Sequence, residues 1–168
     1  MLSFLFRGLT AEDPRGAPLF DALTNEARRP FWYVEGEVPD TLDGRFAVLA
    51  TLTALALVRL ESEGDAGDRL SVALTERFIH VMESEHRELG IGDPTLGTTV
   101  RKLVGMLARR TELWRSADEA NWSDAAQESL YKGDGGEDAV ARSAKTLKDF
   151  RERLSRRSLE ELERGEFG

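Results

Sequence analysis

Residues 39–60 read PDTLDGRFAVLATLTALALVRL. No charge interrupts the thirteen residues from Phe46 to Val58. Asp40 or Thr41 supplies an N-cap oxygen at the start, and the helix it opens runs to about Ser62. Phe46, Leu49, Leu52, Leu55, Leu57 and Leu60 cover almost its whole circumference. A helix apolar all round is either a membrane span or the hub of a bundle. Spanning a bilayer takes about twenty apolar residues, so the run reads as a hub. It sets the fold class: an all-α, irregular or orthogonal bundle of about five to six helices around a central apolar helix.

Outward from the hub, helical periodicity continues. Pro18 opens a first helix over about 18–28, with Leu19, Leu23 and Ala27 on one face. An irregular stretch, RRPFWYVEGEVPD (28–40), joins it to the hub, and its cluster Phe31, Trp32, Tyr33 either packs inward or forms a ligand site. Gly64 and Gly67 flank a turn, and Asp65 caps a helix over about 67–89 with Leu70, Leu74, Phe78, Val81 and Leu89 in its stripe, Ala73 and Met82 alongside. Leu96, Val100, Leu103, Val104, Leu107 and Trp114 mark a helix over about 95–119. A short helix over 123–131 stops at KGDGGED. A charged one over 137–163 follows, with a narrow apolar face of Val140, Ala144, Leu147, Phe150 and Leu154. Strand signals are almost absent, and isoleucine occurs only twice. Residues 1–168 read as one domain, long enough to bury roughly 70% of its unfolded surface.

With 31 acidic and 23 basic residues the net charge is −8, which argues against a dedicated DNA binder. The absence of cysteine excludes disulfides, thiolate catalysis and cysteine-ligated zinc. The start, MLSFLFRGLT, lacks the length and cleavage site of a secretory signal. It reads as a membrane-touching foot or an end folded onto the core.

Chemical equipment is missing rather than hidden. SEHRELGIGDPTLGT (84–98) has glycines at the Walker spacing, but Thr98 stands where lysine must be. It reads as a helix–helix corner: Gly90 closes one helix, Gly92 turns the chain, Asp93 caps the next and Pro94 takes its first position. Glu83 and His86 make one Glu-x-x-His, yet Arg77 precedes the other histidine, His80, at that spacing, and a di-iron site needs two such pairs. No serine has a signalled base partner. We therefore expect no catalytic residues, no metal and no cofactor. Basic residues crowd the last helix (Arg142, Lys145, Lys148, Arg151, Arg153, Arg156, Arg157), either as a solvated exterior or as a stripe for an acidic partner, a ribosome surface or anionic lipid.

Three stretches together resemble the ubiquinol–cytochrome c chaperone family, bacterial relatives of the mitochondrial assembly factor for respiratory complex III. They are Ala27-Arg28-Arg29-Pro30 before the aromatic cluster, Val38-Pro-Asp-Thr-Leu-Asp-Gly-Arg-Phe46 entering the hub, and Arg87-Glu88-Leu89-Gly90-Ile91-Gly92-Asp93 at the corner. The likeness is firm from Pro39 to Arg110, with a family-like core over about 18–131 and helical character alone in the C-terminal third. The chain departs from the family at Ala50-Thr51-Leu52-Thr53, where relatives carry histidine, and at Met106–Arg110, where they carry a phenylalanine-tyrosine-glycine-arginine element. The resemblance implies a non-enzymatic helper that binds newly made cytochrome b, or another complex III subunit, at the inner face of the membrane. A ribosome, a second assembly factor and the membrane surface are its further implied partners. Candidate contacts are Phe31, Trp32 and Tyr33, with Arg45, Arg87, Glu88 and Asp93 at the margin. The alternative for the arginines is bracing, by pairs to Asp43 or Glu88. Two other functions compete: a small α-helical cofactor-binding enzyme, and a ribosome- or membrane-docking module built on the last helix.

Overall fold

The structure, a computed structural model, describes residues 13–88 and 96–168, with backbone alone for 86–88, 96 and 97. The corner residues Gly90, Gly92, Asp93 and Pro94, and the segment before Asp13, lie outside the described residues, as do the side chains of Arg87 and Glu88. Among the described residues there are no strands. The described residues form six helices of ten residues or more and one short one: α1 (Ala17–Ala27), α2 (Leu42–Leu60), α3 (Gly64–Glu88), α4 (Leu96–Arg115), α5 (Trp122–Tyr131), α6 (Glu137–Ser155) and α7 (Leu159–Glu163).

The hub is α2. Thr41 caps it, its hydroxyl oxygen accepting the Gly44 N–H at 3.1 Å. Every residue from Ala47 to Ala56 is buried, and α1, α3, α4, α5 and α6 all pack on the helix. Each fully buried leucine there contributes roughly 1.5–3 kcal/mol, so the hub holds the bundle together more than any pairwise contact outside it.

Most polar groups taken into this core find partners, although the buried Thr53 hydroxyl has none among the described residues. The Ser129 hydroxyl meets that of Thr51 at 2.6 Å and accepts the Trp114 indole N–H at 3.1 Å. Trp114 packs edge-on against Trp122, whose own N–H donates to the Ala144 carbonyl at 2.8 Å. This chain of contacts ties α2, α4, α5 and α6 into one body.

Three boundaries differ from the sequence expectation. A 3₁₀ turn, Glu61–Glu63, leads straight into α3, so that helix starts at Gly64 and not near 67. Gly64 alone makes the turn, at φ 63°. Gly67 lies inside the helix, where a Cβ would stand 2.2 Å from the Leu60 carbonyl oxygen; Asp65 sits in the first turn. Helix α4 ends at Arg115 because the Asp118 carboxylate accepts the Ala120 and Asn121 N–H groups, at 2.9 and 3.2 Å, and turns the chain. The last expected helix is two. It breaks after Ser155, and Ser158 and Glu161 form a capping box that starts α7.

The last segment also packs more fully than its sparse pattern suggested. Ala139, Val140, Ser143, Ala144, Leu147, Phe150 and Leu154 are all buried on α6. Phe167 then folds back, 3% exposed, edge-on to Phe150 at 5.4 Å. Much of the basic crowd of α6 is engaged by groups of this same chain. Arg153 reaches Glu26 at 3.0 Å, Lys148 reaches Glu119 at 2.6 Å, Arg142 donates to the Glu35 carbonyl, and Arg151 stacks over Trp122 at 4.2 Å.

Candidate functional site

The site begins where α1 stops. Pro30 cannot continue a helix interior, and Pro30–Trp32 forms a 3₁₀ turn instead. Trp32, fully buried, anchors the segment from below by donating its indole N–H to the Glu26 carbonyl at 2.9 Å. Tyr33 donates its hydroxyl to the Ala27 carbonyl at 3.0 Å. The Gly36 and Val38 N–H groups then donate back to Phe31 and Trp32, at 2.8 and 2.9 Å. Gly36 leaves no room for a side chain, since a Cβ would fall 2.6 Å from the Trp32 carbonyl oxygen. The irregular stretch is therefore a rigid platform.

That platform forms one wall of a cleft of about 1060 Å³. The other walls are the C-terminal end of α1, the first two turns of α2, Met82 and Glu85 near the end of α3, and the first turns of α4. Its lining is largely apolar: Tyr33, Phe46, Leu49, Met82, Leu103 and Met106 among others. Val34 and Leu42, at 67% and 46% exposure, also line it and leave greasy surface open to solvent. Both methionines after the first residue, Met82 and Met106, line it too. Their flexible thioethers suit a surface that must adapt to its occupant.

Electrostatics at the cleft are unusual for so acidic a chain. Four cations line it, Arg28, Arg45, Lys102 and Lys132, against three acids, Asp40, Asp43 and Glu85. Arg45 pairs with Asp40 at 2.8 Å, and Lys132 with Asp43 at 3.6 Å. The expected Arg45–Asp43 brace is thus replaced, because Asp40 sits before the cap of α2, where the chain turns back toward Arg45. Burial pushes the Tyr33 hydroxyl up from its ordinary range, with the nearby Arg45 opposing.

Beneath the floor lies Arg110. Its guanidinium is buried, stacks on the Phe46 ring at 5.6 Å, and donates to the Ser129 carbonyl at 3.1 and 3.3 Å. Ser129 sits in the last turn of α5, so the cation meets the negative end of a helix dipole rather than a carboxylate. Burial lowers its affinity for the proton.

Of the contacts expected from sequence, the structure brings Tyr33 and Arg45 together on this cleft. Phe31 stands beside it, half-buried, with its ring edge-on to Trp32 at 5.3 Å. Trp32 supports from inside, and the side chains of Arg87, Glu88 and Asp93 lie outside the described residues. Phe46, Leu49, Met82, Leu103 and Met106 were not foreseen as site residues; the first four read as ordinary core. The described lining carries no histidine, serine or cysteine. No group of three or more His, Cys, Asp or Glu among the described residues could hold a metal ion. His80 lies exposed on α3. What the cleft offers is a place to hold something apolar.

Comparison with known proteins bears on what that something is. The family described as "Ubiquinol-cytochrome C chaperone" matches residues 35–167, which extends the likeness seen in sequence through α6 and α7. The crystal structure of the Cbp3 homolog from Brucella abortus aligns with a TM-score of 0.77 at 26% identity, covering 98% of this chain and 94% of that one. No curated protein matched the chain significantly.

Proposed function

We propose, on the premise that this chain belongs to the ubiquinol–cytochrome C chaperone family, that it assists assembly of respiratory complex III by gripping newly made cytochrome b. It acts by binding alone and is not an enzyme. The observation that carries this reading is the cleft: an apolar floor with exposed apolar lips, held open between a braced platform and four helix ends. A monomer gains nothing from leaving Val34 and Leu42 in water, whereas a chaperone needs such a surface to shelter a segment until its permanent partners cover it. Among the described residues no helix is long and apolar enough to cross a membrane. We place the protein in the cytoplasm and peripherally on the inner face of the membrane, where a nascent membrane subunit is met. Tyr33 and Arg45 contact the client directly, Phe31 borders it and Trp32 fixes the platform; Arg87, Glu88 and Asp93 are its further proposed contacts.

A tagged pull-down from the native membrane fraction tests this. Cytochrome b is expected as the main enriched protein, and a deletion strain is expected to lose complex III. The double variant Val34→Glu, Leu42→Glu changes only exposed lip residues, so it should keep the helical circular dichroism signal while capture falls at least about tenfold. Normal complex III in the deletion strain would defeat the proposal.

A further inference from the structure

The occupant of the cleft is constrained by charge as well as by apolar fit. Arg45 and Lys132 are neutralised by Asp40 and Asp43, but Arg28, at the end of α1, and Lys102, on α4, have no hydrogen-bond or ion-pair partner among the described side chains. Both are exposed, and they stand on walls made by different helices. Beneath them the Arg110 guanidinium adds a third positive charge, buried against Phe46 with carbonyl partners only. The whole chain carries 23 basic and 31 acidic residues, yet the cleft lining carries four basic to three acidic, with the buried cation besides. A positive potential over an apolar floor is strengthened by the low-dielectric wall behind it.

We infer that the cleft selects an amphipathic polypeptide segment bearing carboxylates beside its apolar face, the acids pairing with Arg28 and Lys102 while the apolar side chains enter between Phe46, Met82 and Met106. This rests on the reading of the cleft as the client grip and adds the chemistry by which a client is chosen. Apolar contact supplies affinity but little discrimination, whereas paired charges at a rim set partner choice and the rate of encounter. An excess of like charge on the rest of the surface would turn acidic segments away everywhere but here.

The test uses the full chain and three labelled amphipathic peptides of about 18 residues. They share one leucine face and carry glutamate, glutamine or lysine at two flanking positions. Fluorescence anisotropy is expected to rank glutamate over glutamine over lysine, with about tenfold between the extremes, and the order should flatten at about 0.5 M salt. The variant Arg28→Glu, Lys102→Glu alters exposed side chains, should keep its helical signal, and should reverse the order. Vesicles of phosphatidylglycerol and of phosphatidylcholine are run alongside. Equal affinity for the three peptides, an order unchanged in the double variant, or charge-dependent binding to the anionic vesicles alone would each overturn the inference. Capture of cytochrome b without any peptide charge preference sinks this inference and leaves the assembly role intact. A charge preference without cytochrome b capture upholds it and sinks that role.

Discussion

Gly44 shows how a single position ties sequence to site. It sits in the PDTLDGRF run, one turn into α2, where a Cβ would stand 1.8 Å from the Pro39 carbonyl oxygen. Hydrogen alone lets the platform lie flat on the hub. Gly44→Ala must push the two apart, and we expect a loss of about 3 kcal/mol in urea unfolding, with client capture impaired along with it. Tyr131 makes a second residue-scale case. Its buried hydroxyl lies 2.5 Å from the Gly36 carbonyl oxygen and 2.7 Å from the Ser143 hydroxyl, so it fastens the far end of the platform to α6. Burial raises its pKa above the ordinary value of about 10. The unfolded chain therefore ionises first, and the stability that the neutral phenol contributes is complete below pH 10 and lost as pH climbs through the folded value. Stability measured from pH 9 to 11 should fall more steeply in the parent than in Tyr131→Phe, which begins lower.

At the level of elements, what was legible depended on how much of a helix is buried. The hub announced itself because burial on all sides removes the need for any polar face. The end of the chain did not, since Arg156, Arg157 and Ser158 interrupt no periodicity strongly enough to predict a break. A capping signature was nevertheless present, Ser158 followed three residues later by Glu161. Ser158→Ala removes the oxygen that accepts the Glu161 N–H at 3.2 Å. We expect a cost of about 1 kcal/mol, read as a fall in Tm of about 2–4 °C for a chain of this size. How the basic residues of α6 divide between solvent and internal pairing was hidden for a related reason. Charge patterns in sequence do not reveal whether a guanidinium faces water or reaches a carbonyl, and Arg59, on the hub, donates to the Leu154 and Arg157 carbonyls.

For the molecule as a whole, fold class and family could be read from one chain, but the cleft could not. Phe46, Leu49 and Leu103 recur at the same helical spacing whether they fill a core or line a groove. Only the spread of the helix ends decides which, and that depends on the platform, whose irregular backbone carries no periodic signal. The aromatic cluster pointed to the right region while giving its three rings one common role; the structure divides them between core, border and lining.

Helix α1 and the last residues of the chain also meet. Gly165, at φ 75°, lies so close to Pro18 that a Cβ would fall 2.5 Å from its carbonyl oxygen, and Phe167 is sealed beside Phe150. A short glycine-serine insertion at Gly133, where nothing lies within 4 Å of an added Cβ, should therefore leave the helical spectrum unchanged, because α1 and the last residues stay fastened to each other. An insertion at Gly133 would also carry a tag or a dye without cutting any helix.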